Sequence, residues 1–78
     1  MNTLYVKTGC PYCAAAIKAL DEEKVDYTKV DVLSDPAAMQ TLQDLSGQTR
    51  TPTLDWNGHV LADFGIEQLP DFLAKNQS

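Results

Sequence analysis

The two cysteines of this 78-residue chain are separated by only two residues, in Thr8-Gly9-Cys10-Pro11-Tyr12-Cys13. An apolar run precedes them at residues 4–6, and an alanine-rich run of helical character follows at residues 14–20. Paired thiols at a strand-to-helix junction are suited to thiol–disulfide exchange. The junction also gives the two sulfurs different surroundings. With Cys10 as helix N-cap, Pro11 takes the first helical position, where a missing N–H leaves nothing unpaired. An N-cap side chain accepts from the N–H of the second or third helical residue. The Cys10 sulfur then faces the N–H groups of Tyr12 and Cys13, at the positive end of the helix dipole. Cysteines in such positions have pKa values from about 3.5 to 7.5, against about 8.5 for a free thiol. Cys10 is therefore expected to attack as a thiolate. Cys13, partly covered in the first turn, is expected to resolve the product. Lys7, three residues before Cys10, adds positive charge.

The competing chemistry for paired cysteines is metal binding. A structural zinc site takes four ligands, and only His59 can join the two cysteines through imidazole or sulfur. No metal site is expected, and His59 reads as a solvent-facing residue beside a turn. Eleven acidic residues against six basic give a net charge of −5, which argues against nucleic acid or an anionic membrane as partner. No apolar stretch reaches the about 18 residues of a spanning helix, and the N-terminus lacks a secretory pattern. Two cysteines without such a pattern fit a reducing, cytoplasmic setting, where a Cys-x-x-Cys is catalytic or metal-binding rather than a structural staple. The length fits one domain, residues 1–78.

Positioning the thiols requires a strand before them and a helix after. Residues 2–6 read as that strand. It is apolar on both faces, as in the middle of a sheet covered on both sides. Residues 11–23 read as the helix, with Cys13, Ala16, Ile17 and Leu20 on its buried stripe. Residues 25–32 read as a second strand, placed at an edge because its alternation is imperfect. Asp35 and Pro36 mark a helix start, as N-cap and first residue. That helix runs over residues 36–46 with Ala38, Leu42 and Leu45 on one stripe and Met39 beside it. Gly47 follows as a left-handed cap. Residues 53–56 and 59–62 read as antiparallel strands joined by Asn57-Gly58, a strong hairpin turn. Asp55 is expected to reach solvent or Thr53, since an unpartnered buried carboxylate is costly. Trp56 and Phe64 read as packing residues. Ile66, Leu69, Phe72 and Leu73 mark a last helix, whose regular part starts at Leu69 because Pro70 must lie in the first turn. The first two strands should be parallel, since a helix connects them.

The order βαβαββα and the motif Lys7-Thr8-Gly9-Cys10-Pro11-Tyr12-Cys13 resemble a glutaredoxin of the dithiol class, over nearly the whole chain. The resemblance implies an α/β, minimal thioredoxin-like fold: a four-stranded mixed sheet with helices on both faces. A second match is Ser46-Gly47 followed by Thr51-Pro52, where the family has Ser-Gly and then Thr-Val-Pro. The family's proline is cis and packs beside the active-site cysteines, which implies a cis Thr51–Pro52 bond. The resemblance further implies that the Thr51 backbone pairs with the cysteine of glutathione. Lys7 with Gln48 or Arg50 would lie near its glycine carboxylate, and Tyr12 would flank the tripeptide. The family usually has Gly-Gly, one residue and Asp after the last strand, to hold the γ-glutamyl end. This chain has Leu61-Ala62-Asp63-Phe64-Gly65, with neither of those two glycines and the Asp displaced by one. Asp63 is the carboxylate left to meet the γ-glutamyl ammonium.

The expected activity is glutathione-dependent reduction of protein disulfides and glutathione mixed disulfides by a monomer. Its partners are glutathione and disulfide-containing or glutathionylated proteins. Glutathione is a co-substrate, and no cofactor is tightly bound. One alternative keeps the chemistry but has thioredoxin reductase recycle the protein, consistent with the altered segment at residues 61–62. Another is an iron–sulfur binding module with glutathione as extra ligand. Pro11 counts against it, since relatives of that kind usually carry Gly after the first cysteine.

Overall fold

In the computed structural model, which describes residues 2–76, strand β1 (Asn2–Val6) runs up the centre of a four-stranded sheet of order β2-β1-β3-β4. Helix α1 (Pro11–Glu22) returns the chain to β2 (Thr28–Asp31), which pairs in parallel with β1 from Thr3↔Thr28 to Val6↔Asp31. Helix α2 (Pro36–Ser46) then leads to β3 (Thr53–Trp56), antiparallel to β1, and β4 (His59–Leu61) closes a hairpin with it. A 3₁₀ turn (Ile66–Gln68) precedes α3 (Leu69–Asn76).

The alternation in β1 divides the core. Leu4 and Val6 point to one face, where Cys13, Ala16 and Leu20 of α1 and Leu69 and Leu73 of α3 cover them together with Leu54, Trp56 and Phe64. Tyr5 points to the other face and packs with Val32 and with Leu42 of α2. The mixed sheet with helices on both faces thus agrees with the expected α/β architecture. Trp56 and Phe64 are buried packing residues, as expected.

The helix starts follow their caps. The Asp35 carboxylate accepts from the N–H groups of Ala37 (3.1 Å) and Ala38 (3.2 Å), with Pro36 at the first position. At the far end Gly47 is left-handed at φ 72° and donates its N–H to Gln43, a conformation in which a Cβ is disfavoured.

Some details differ from expectation. β2 starts at Thr28 rather than residue 25. Lys24 turns left-handed at φ 56°, and the Asp26 carbonyl accepts from the Asn2 side chain at 3.1 Å, so the chain joins the sheet only where β1 offers partners. β4 stops at Leu61, one residue short of the expected 62. Leu45 is 40% exposed instead of lying on the buried stripe of α2. The stripe steps by four residues from Ala38 to Leu42 to half-buried Ser46, whose hydroxyl donates to the Leu42 carbonyl at 2.7 Å. Asp55 is half-buried, in keeping with the expectation that it reaches solvent, and accepts from the Gly58 N–H at 3.0 Å inside the hairpin.

Candidate active site

The end of β1 and the start of α1 bring the cysteines to the rim of the sheet. Gly9 is left-handed at φ 84°, and the Cys10 N–H donates back to the Lys7 carbonyl at 3.2 Å. This tight turn delivers Cys10 to the helix N-cap in an extended conformation. Its Sγ accepts the Cys13 N–H at 3.3 Å, as the helix start predicts. The turn is also tied sideways. The Thr8 hydroxyl donates to the Asp31 carboxylate at the end of β2, which accepts the Leu33 N–H as well. These hydrogen bonds, that of Thr8 foremost, hold the Asp31 carboxyl below the usual carboxylate range.

Across from Cys10 lies the loop before β3. The Thr51–Pro52 peptide bond is cis, as the resemblance implied. The Cys10 thiol approaches the Thr51 carbonyl at 3.9 Å, and the Thr51 hydroxyl approaches the Cys10 sulfur at the same distance. Pro52 is buried, and its carbonyl accepts from the Phe64 N–H at 3.3 Å.

The two sulfurs are set apart electrostatically. Burial pushes the Cys10 thiol up, but hydrogen bonds from the Cys13 thiol and N–H, the Thr51 hydroxyl and the Tyr12 N–H outweigh it, so the thiol falls below its ordinary value. Cys13 is 2% exposed. Burial, with the hydrogen bond to Cys10, pushes its thiol up. The arrangement favours thiolate on Cys10 and thiol on Cys13.

The remaining expected site residues fall into separate groups. Lys7 is half-buried and shares a groove with Cys10 and Cys13. Tyr12 is 69% exposed and borders a second groove with Asp63, Phe64 and Glu67. Gln48 turns into its own loop. Its Nε2 donates to the hydroxyls of Ser46 (2.8 Å) and Thr53 (3.2 Å), and its Oε1 accepts from the Arg50 N–H. Arg50 instead reaches outward and pairs with Asp63 at 3.5 Å. Both partners are exposed, so the pair contributes about 0–1 kcal/mol. Asp63 supplies the positive φ of the segment after β4, at 50°. Asp adopts this conformation more readily than most residues that carry a Cβ, so the turn forms there despite Leu61 and Ala62.

Sequence reasoning missed Thr53. It is fully buried, and its hydroxyl donates to the Arg50 carbonyl at 2.9 Å while meeting the Gln48 amide and the Asp63 N–H. One hydroxyl thus joins the proline loop to the segment after β4. The available signal was a hydroxyl residue directly after Pro52, at the first position of the strand. Among the described residues, no group of three or more His, Cys, Asp or Glu side chains could hold a metal ion, and no helix is long and apolar enough to cross a membrane.

Comparison with known proteins bears on this geometry. A glutaredoxin-like 8.6 kDa protein of the rubredoxin operon of Clostridium pasteurianum is 23% identical over 75 residues, 96% of this chain and all of that one. The crystal structure of the thioredoxin-like protein BC3987 superposes with a TM-score of 0.86 at 33% identity, covering 94% of this chain and 100% of the other. The glutaredoxin-like NrdH-redoxin from Escherichia coli superposes with a TM-score of 0.78 at 21% identity, over 99% and 95% of the two chains. The glutaredoxin family profile matches residues 2–61, a span that runs from β1 through both cysteines and the cis-proline loop to the end of β4. With the N-cap thiol and that loop in contact, this chain belongs to the glutaredoxin family, as a glutaredoxin-like redox protein.

Proposed function

We propose that the protein is a dithiol thiol–disulfide oxidoreductase that reduces protein disulfides and glutathione mixed disulfides. The observation that carries this reading is the contrast between the sulfurs: Cys10 Sγ accepts an N–H at the helix start while Cys13 is buried behind it. The Cys10 thiolate attacks one sulfur of the substrate disulfide. A Cys10 mixed disulfide forms, and the other sulfur leaves as a thiolate that takes a proton. Cys13 loses its proton and attacks the Cys10 sulfur, which releases the second substrate thiol. The substrate gains two electrons and two protons, and Cys10–Cys13 is left as a disulfide. Two molecules of glutathione reduce it again and become glutathione disulfide. The protein works in this way in a reducing compartment such as the cytoplasm.

In this reading the Thr51 backbone pairs with the cysteine of glutathione, beside Pro52. Lys7 and Arg50 meet its glycine carboxylate, because the Gln48 amide is engaged within its own loop. Tyr12 and Asp63 border the groove for the γ-glutamyl end. Cys10→Ser should abolish turnover of both substrate classes. Cys13→Ser should keep turnover of glutathione mixed disulfides and lose protein-disulfide reduction. Retained deglutathionylation in the Cys10 variant would refute the choice of nucleophile.

A second reading has thioredoxin reductase as the electron source. It is favoured by the Arg50–Asp63 pair, in which the two groups meant for opposite ends of glutathione satisfy each other. A glutathione mixed-disulfide assay, coupled to glutathione reductase and NADPH, separates the two. Turnover that saturates with glutathione supports the first reading. No turnover, with insulin disulfides reduced once thioredoxin reductase is supplied, supports the second.

A further inference from the structure

β1 lies between β2 and β3, so the thiols at its end are flanked by a recess on each side. The recess toward β3 holds Thr51 and the cis-proline. The other opens toward β2, as a groove of about 340 Å³ bordered by Lys7, Cys10, Cys13, Ile17, Lys29 and Asp31. Apart from the cysteines, only Lys7 of these belongs to the glutathione contacts proposed above.

The charges in this groove are unequal. The Asp31 carboxylate is engaged within the chain by the Thr8 hydroxyl and the Leu33 N–H. Among the described residues neither Lys7 nor Lys29 forms an ion pair. Two of the six basic residues of a chain of net charge −5 therefore border this groove against one carboxylate, which leaves it with a net positive charge beside the thiols. Ile17 adds apolar surface to the same groove. The groove on the Tyr12 side is bordered instead by Glu67 and by Asp63, the latter paired with Arg50.

We propose that the β2-side groove is a subsite for acidic residues flanking the reactive cysteine of a protein disulfide substrate, with Lys29 as its specificity residue. The inference rests on the redox reading above. An extended acidic segment supplies carboxylates for the two ammonium groups and aliphatic stems for the apolar surface of Ile17. The overall negative charge opposes such a partner only weakly, since exposed charges more than about 8–10 Å apart are screened at physiological salt.

The test uses the purified full chain and three disulfides. Bis(2-hydroxyethyl) disulfide, which is uncharged, reports the redox reading on the wild-type protein. Two peptides of equal length, each with one internal disulfide, carry Glu or Lys at the flanking positions. The wild type should reduce the Glu peptide up to about fivefold faster at about 0.15 M ionic strength, where the distant negative charges are screened, on the order expected for one exposed charge pair. The advantage should shrink in 0.5 M salt. The rate ratio between the peptides should fall in Lys29→Gln and invert in Lys29→Glu, a graded response that a loss of folding would not produce. Equal rates for the two peptides, or a ratio unmoved by both variants, would overturn the subsite while wild-type reduction of the uncharged disulfide upheld the redox reading. Failure to reduce any of the three would overturn both.

Discussion

Cys10 and Cys13 share one chemistry, and their surroundings push it in opposite directions. Cys10 gains hydrogen bonds from the helix start and from Thr51, while Cys13 is covered. The sign of the pH effect follows. A lowered thiol is ionised at lower pH, so the rate at which Cys10 reacts with an alkylating agent should climb to its plateau below the pH range of a free thiol, at about 8.5. Thr51→Val keeps the β-branched shape and removes a hydroxyl that helps lower Cys10. The alkylation profile should move to higher pH, and reaction below the midpoint should slow; an unmoved profile would remove Thr51 from the account. The N-cap role of Cys10 was legible from Pro11 and the strand-to-helix junction alone. The contact with Thr51 was legible only through the family resemblance, because the two residues are 41 positions apart. The inward turn of Gln48 was not legible, since it depends on the buried hydroxyl of Thr53.

At the scale of elements, the helix starts were the most legible part of the fold. Asp35-Pro36 and Cys10-Pro11 each combine a side chain that accepts backbone N–H groups with a proline at the first position. Such signals are local, so they survive translation from sequence to structure. The start of β2 is not local. It is set by where the parallel partner begins and by a left-handed turn at Lys24, and no pattern within residues 25–32 carries that information. Leu45 was misplaced because the buried stripe of α2 steps by four residues, from Ala38 to Leu42 to Ser46, and leaves Leu45 to one side. Asp35→Ala removes both cap hydrogen bonds of α2 and should cost about 1 kcal/mol. For a domain of this size that lowers the thermal midpoint by about 4–8 °C, which a calorimetric scan measures directly. An unchanged midpoint would show that the cap contributes little here.

Across the whole molecule, one strand carries both the core and the site. β1 supplies Leu4 and Val6 to one face and Tyr5 to the other, and its end presents the thiols. Leu4 is fully buried. Leu4→Ala should cost about 2–5 kcal/mol, a large share of the about 5–15 kcal/mol that small domains possess, so its urea midpoint should fall well below that of the wild type; a shift within error would mean that the core closes around the gap. The contacts that shape the site at this scale join elements far apart in the chain: Thr8 with Asp31, Arg50 with Asp63, Cys10 with Thr51. The alternation of β1 and the caps disclosed the layers of the fold, but these pairings depend on how the layers meet. The central claim remains that Cys10, not Cys13, is the thiolate. Its most direct test is to treat the reduced protein at pH 6.5 with less than one equivalent of iodoacetamide and locate the label by peptide mass spectrometry. The account predicts that the label sits on Cys10. Label on Cys13, or divided equally between the two, would contradict it.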